Sequence, residues 1–155
     1  MPEILTEREL NSDIIKEQVM LLETSFAHWF LESLIPYSDA YDLSLKLYHA
    51  PFLYFSINEA DEPVYSYMNL RAQNRFETSW DDVPQLTLRE TTVPESTAAV
   101  FLFTEGVKQR GKFMNYSGTR MSRKGRVFRI QNTYVWAIFD AAQNYRGQGY
   151  LEPLF

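Results

Sequence analysis

The stretch RVFRIQNTYVWAIF, residues 126–139, carries no charge after Arg129 and changes character halfway along. Read as a strand, strict alternation puts Phe128, Ile130, Asn132, Tyr134, Trp136 and Ile138 on one face. That face is apolar apart from Asn132. The opposite face starts polar with Arg129 and Gln131 and becomes apolar after Thr133, through Val135, Ala137 and Phe139. A strand that is apolar on both sides at its far end needs cover on both sides. The chain is thereby constrained to a layered fold: helices cross one face of a sheet, and a long N-terminal helix or a second subunit closes the other.

The rest of the chain supplies such layers. Residues 1–11 read as a flexible acidic lead-in, and residues 12–155 as one domain of ordinary size. From Ser12, a plausible N-cap, apolar residues recur at Ile15, Val19, Leu22, Phe26, Trp29, Phe30 and Leu34, which predicts a helix over 12–35 closed by Pro36. A second helix is expected over about 38–49. APFLYFSI and VYSYM, joined by the polar turn NEADEP, read as paired strands. Asn69 is placed to cap a short helix through Phe76, residues 86–95 read as a loop, and a helix from about 95 to 108 ends at Gly111. Strands at about 112–122, 126–139 and 145–151 complete an α+β order with turns at SRKG and DAAQN.

Charge narrows the function classes. Residues 1–107 hold six cations and eighteen anions, whereas residues 108–129 hold eight cations and no anion. The hairpin 118–129 therefore offers a basic ribbon, with Arg120, Arg123, Lys124 and Arg126 gathered at its turn and read as a solvated tip. Phosphate-dependent binders depend on a broadly basic surface. The acidic body, which leaves the whole chain at a net charge of −5, opposes that use, so nucleic acid is not the expected partner. The chain contains no cysteine, which removes disulfides, thiolate nucleophiles and cysteine-held metal. No apolar run reaches membrane-spanning length, and the acidic N-terminus does not resemble a signal peptide, so a soluble cytoplasmic protein is expected.

Several segments, in order, resemble one family. APF, DEPVYSYMN, RFETSW, YSGTRMSRKGRVFRI, VW and RGQG are similar to the pattern of the MEKHLA domain family over roughly residues 20–149. The loop 86–95 and the ending beyond Gln148 depart from that pattern. The resemblance implies a PAS-like fold: a five-stranded antiparallel sheet, short helices over its concave face and often a small cavity between them. It also implies a sensory or protein-interaction domain, with a homodimer or a signalling protein as partner and no catalysis typical of the family.

Candidate chemistry follows from this frame. The absence of cysteine excludes a flavin bound as a thiol adduct, and no histidine lies between residues 95 and 110 to hold haem. The cofactor is therefore unknown. His28 and His49 do not form a helical ligand pair and read as packed or surface residues. Asp81 and Asp82 read as first-turn acids of a helix. A non-covalent ligand calls for an apolar pocket with a few polar groups. Asn132 is the first candidate for the polar group, and Tyr134, Trp136, Phe103 and Phe52 for the walls, with Asn69 as a cap or ligand contact. Two further classes stay open: a small α+β barrel enzyme acting on an organic molecule, and a nucleic-acid accessory working through hairpin 118–129.

Overall fold

The computed structural model describes residues 4–153. Its helices are α1 (Glu7–Leu10), α2 (Asp13–Phe30), α3 (Ala40–His49), α4 (Leu70–Phe76) and α5 (Thr97–Arg110). Its strands are β1 (Leu53–Ile57), β2 (Tyr65–Met68), β3 (Lys112–Met121), β4 (Val127–Phe139) and β5 (Tyr145–Glu152). They form one antiparallel sheet in the order β2-β1-β5-β4-β3. The fold class expected from the sequence is the one observed.

Each face of the sheet carries its own core. The inner face presents Leu53, Phe55, Ile57, Tyr65, Ile130, Val135 and Tyr150 to α4, α5 and the 3-10 turns between them. The outer face presents Tyr54, Tyr67, Trp136, Ile138 and Leu151 to α2 and α3. The double cover demanded by β4 is thus met within one chain, with α2 as the second layer. Trp29 donates its indole N–H to the Ala137 carbonyl at 2.9 Å, tying the end of α2 to the centre of the sheet.

Four local departures from the sequence reading have identifiable causes. Residues 4–11, within the expected flexible lead-in, include a helical turn with a complete capping box between Thr6 and Glu9, and Leu5 and Leu10 are buried against the outer core. Residues 1–3 of that lead-in lie outside the described residues. Helix α2 ends at Phe30, not near 35, because Leu31 turns left-handed (φ 58°) and the following segment is held by Glu23. The buried Glu23 carboxylate accepts the Leu34 N–H at 2.9 Å and the Ser33 hydroxyl. Residues 86–95 contain the 3-10 turns Arg89–Thr91 and Pro94–Ser96, and Val64 bridges to Thr87 so that the segment extends the β2 edge.

The fourth departure changes the site. Strands β3 and β4 carry paired bulges: from Tyr116 to Gly118 on β3, the partner runs the longer way from Thr133 to Ile130, and from Phe113 to Tyr116 the excess lies on β3. Asn132 (φ 52°) and Asn115 (φ 59°) absorb the two extra residues in left-handed conformations, which asparagine tolerates better than most side chains. Side-chain parity therefore reverses at Asn132. Phe128 and Ile130 face inward, whereas Tyr134, Trp136 and Ile138 face outward onto α2. The single continuous face expected from strict alternation does not exist.

Candidate functional site

The reversal disperses the residues proposed from the sequence. Asn132 is exposed at the bulge and lines neither core. Trp136 is fully buried, but on the outer face, with its ring edge-on to Phe26 at 5.0 Å. Tyr134 packs beside it, 5.1 Å from Phe30, and Phe52 also belongs to the outer core. Only Phe103 lies on the inner side, stacked on Tyr116 at 4.3 Å.

Asn69 is buried and fully occupied. Its carbonyl oxygen accepts from the N–H groups of Ala72 (3.0 Å) and Tyr54 (3.2 Å), and its amide donates to the carbonyls of Leu47 (3.1 Å) and Phe52 (2.9 Å). It caps α4 and fastens that helix to β1 and α3. Asn69→Ala is expected to cost about 2–3 kcal/mol, because the cap is lost and buried partners are left unmet. Urea unfolding measures this, and a change below about 0.5 kcal/mol would contradict the assignment.

A different set of polar side chains meets between the sheet and the inner helices. Arg120 is at 0% exposure, as are Tyr65, Gln148, Thr91 and Thr133, and Tyr150 is at 1%. Charge clustering along the sequence predicts Arg120 as one of the solvated turn cations, and the structure corrects this. In register, Arg120 stands opposite Phe128, whose ring faces inward, so Arg120 points into the inner layer as well. That cross-strand parity was the available signal, and clustering by charge concealed it. The other three turn cations sit at the surface beside acids: Arg123 bonds Asp82, Arg126 lies 3.3 Å from Glu77, and Lys124 3.9 Å from it. The basic tip is thereby partly neutralised. No ion pair of Arg129 occurs among the described residues; its carbonyl accepts from Arg75 at 2.7 Å.

The Arg120 guanidinium is only partly satisfied. Its Nη1 donates to the Tyr116 hydroxyl at 3.0 Å and the Thr119 carbonyl at 3.2 Å, while Nε and Nη2 have no partner. It lies 5.6 Å from the Tyr116 ring centre and 6.0 Å from that of Tyr150. The Tyr65 hydroxyl is paired with Thr91 at 2.7 Å and also stands close enough to the guanidinium to be stabilised by its charge and its donors, short of a well-formed hydrogen bond to Nε or Nη2. Thr91 itself donates to the Leu88 carbonyl at 2.9 Å, which makes Tyr65 the donor to Thr91. Gln148 donates to the Thr104 carbonyl of α5 at 2.6 Å and accepts weakly from Tyr150 at 3.5 Å. A polar file thus runs from α5 through Gln148 and Tyr150 to Arg120. It begins beside a surface cleft of about 100 Å³ that includes Thr104, Phe101 and Tyr145. A larger recess of about 440 Å³ lies elsewhere, between Ile4–Thr6 and Trp80, and touches none of this set.

Burial pushes the hydroxyls of Tyr65 and Tyr150 above the ordinary tyrosine range, with the charge of Arg120 opposing the rise. On the outer face, burial does the same to Tyr54 and Tyr67. For an acid whose folded pKa lies above its unfolded value near 10, the contribution to stability is complete below the unfolded value and is lost as pH rises from there through the folded one. The four tyrosines are therefore expected to ionise together with loss of near-ultraviolet circular dichroism, well above pH 10, in an alkaline titration followed at 295 nm. Independent ionisation near pH 10 in a protein that stays folded would contradict their burial.

The antiparallel five-stranded sheet with helices across its inner face has the PAS fold. Similar solved structures include a PAS domain from Colwellia psychrerythraea (TM-score 0.59, 12% identity, covering 72% of this chain and 92% of that one). Another is a PAS domain of a two-component sensor histidine kinase (TM-score 0.54, 17% identity, 84% and 94% covered). A third is a PAS domain of a LuxR-family transcriptional regulator from Burkholderia thailandensis in complex with ethanol (TM-score 0.53, 14% identity, 71% and 95% covered). No curated protein matches the chain in sequence. Within this class the family is specific: the MEKHLA domain model matches residues 16–152, and the chain belongs to the MEKHLA domain family.

Proposed function

We propose that this MEKHLA domain is a sensory module that holds a small ligand between the inner face of its sheet and helices α4 and α5. The observation that carries this reading is the buried polar set around Arg120, with two guanidinium nitrogens, Nε and Nη2, left without a partner in the inner layer. Native interiors rarely leave such groups unmet, and an unmet group on a PAS-like inner face is a place for a ligand. A similar PAS domain binds ethanol, which supports a small organic molecule as occupant. Helix α5 suits the role of a movable roof: only Val100 and Val107 are buried along it, and its N-terminus has no side-chain cap.

The reading is non-catalytic. The buried set contains guanidinium, hydroxyl and amide groups but no nucleophile set beside a general base. Occupancy would be relayed through the sheet to α2, which packs directly behind Trp136. For a homodimer, Phe113 and Met114 on the edge strand β3 are adjacent exposed apolar side chains, while Ile14, Leu31, Leu102 and Val127 are exposed elsewhere among the described residues. Among the described residues no helix is long and apolar enough to cross a membrane. The cysteine-free composition fits a cytoplasmic site.

The test is direct. Protein purified without denaturant is expected to release one small molecule when denatured, detected by mass spectrometry of the supernatant and, for a coloured ligand, by absorption beforehand. A protein that releases nothing, and whose melting temperature no small molecule raises, would instead be an interaction domain.

A further inference from the structure

We propose that the ligand is a small monocarboxylic acid whose carboxylate docks on the Nε–Nη2 edge of Arg120. This inference rests on the ligand-binding reading above and adds the ligand's chemical class. A guanidinium offers five donors in a planar fork and does not lose its proton in proteins, so its charge cannot be relieved by neutralisation. Arg120 is fully buried, and among the described residues no carboxylate pairs with it. Its charged-group neighbours are the phenols of Tyr116, Tyr150 and Tyr65, which act as hydrogen-bonding groups and not as counter-ions. A buried cation held in this way is costly until an anion reaches it.

The free edge selects the anion. Nε and Nη2 point two parallel N–H bonds in one direction, the geometry that takes both oxygens of a carboxylate at once. One cation balances one negative charge. A phosphate dianion would need a second cation, and Arg123, Lys124 and Arg126 are engaged at the surface with Asp82 and Glu77. Phe55, Phe76 and Ile130 belong to the same buried cluster as Tyr150, so the chemistry that complements this layer beyond the carboxylate is a short carbon skeleton.

The experiment uses the whole chain and compares matched probes by thermal shift and calorimetry. Acetate, propionate, butyrate and pyruvate are the acids; propionamide is the neutral isostere; inorganic phosphate and sulfate are the other anions. At least one acid is expected to bind saturably and raise the melting temperature, whereas propionamide and the inorganic anions do not. Arg120→Met, which removes a buried unpaired charge, is expected to stay folded with ligand-free stability at or above that of the parent, and to bind the acid about 30-fold or more weakly. Arg120→Lys keeps the charge but loses the fork and is expected to bind weakly as well. Equal binding of propionate and propionamide, or of propionate and phosphate, overturns the proposal without reference to any variant. Failure of every acid, or release of a neutral molecule from the native protein, also overturns it. The neutral molecule would leave the ligand-binding function standing, whereas release of nothing, with no probe of either kind binding, removes both.

Discussion

Replacing Trp136 with alanine is expected to lower the free energy of unfolding by about 3–5 kcal/mol, a large share of the margin of a domain this size. The indole is completely buried in the outer core. It is edge-on to Phe26 at 5.0 Å and to Phe30 at 6.3 Å, so its loss opens a cavity between sheet and α2. Neither side can close that cavity easily, because α2 is pinned nearby by the Trp29–Ala137 hydrogen bond. Trp136→Phe should cost much less, about 1–2 kcal/mol, since a ring still fills most of the space and deleting the unpartnered buried indole N–H relieves its desolvation penalty.

The same ring explains Gly149. A Cβ there would lie 2.4 Å from the indole, so Gly149→Ala is expected to be strongly destabilising alone and milder in the Trp136→Phe background. Urea unfolding of the two single variants and the double variant measures the coupling. Strict additivity would show that the ring does not lie over Gly149.

Gly147→Ala is expected to cost about 3 kcal/mol or more, or to prevent folding. Two independent penalties fall on this position. Its φ is +116°, a conformation that side chains rarely adopt, and an added Cβ would sit 1.9 Å from the carbonyl oxygen of Ile57. That oxygen belongs to β1, so the clash would push β1 away from β5, the central strand of the sheet. Gly125 supplies the control. It too has a left-handed φ, +87°, but a Cβ there meets nothing, and Gly125→Ala should cost only about 1 kcal/mol. Thermal unfolding of the two variants separates backbone strain from close approach; equal losses would remove the strand contact from the account.

Much of the architecture was legible along the chain because it is encoded locally. Apolar spacing located α2, Asn69 marked the start of α4, Gly111 the end of α5, and the SRKG turn paired β3 with β4. The motif around YSGTRMSRKGRVFRI pointed to the family that the chain belongs to. The candidate site was read less well, and one residue explains why. Alternation assumes two residues per repeat without interruption, so a bulge at Asn132 reverses every later assignment on β4. Asn132 itself looked like the polar group of a pocket for the same reason that it serves the bulge: it is a short polar side chain in an apolar run.

By itself, then, the amino-acid order determined the element types, their sequence along the chain and the need for cover on both faces of β4. These follow from local backbone preference and from the removal of apolar side chains from water. Tertiary structure alone decided that α2 supplies the second cover, that the face reverses at Asn132, and that Arg120 leaves the charged turn for the interior. Each depends on where a distant segment comes to rest: α2 against Trp136, β3 beside the bulged β4, and Thr91 and Tyr65 around the inner layer. Whether a charge is solvated or buried is a property of all its neighbours at once, and spacing along one strand does not contain it.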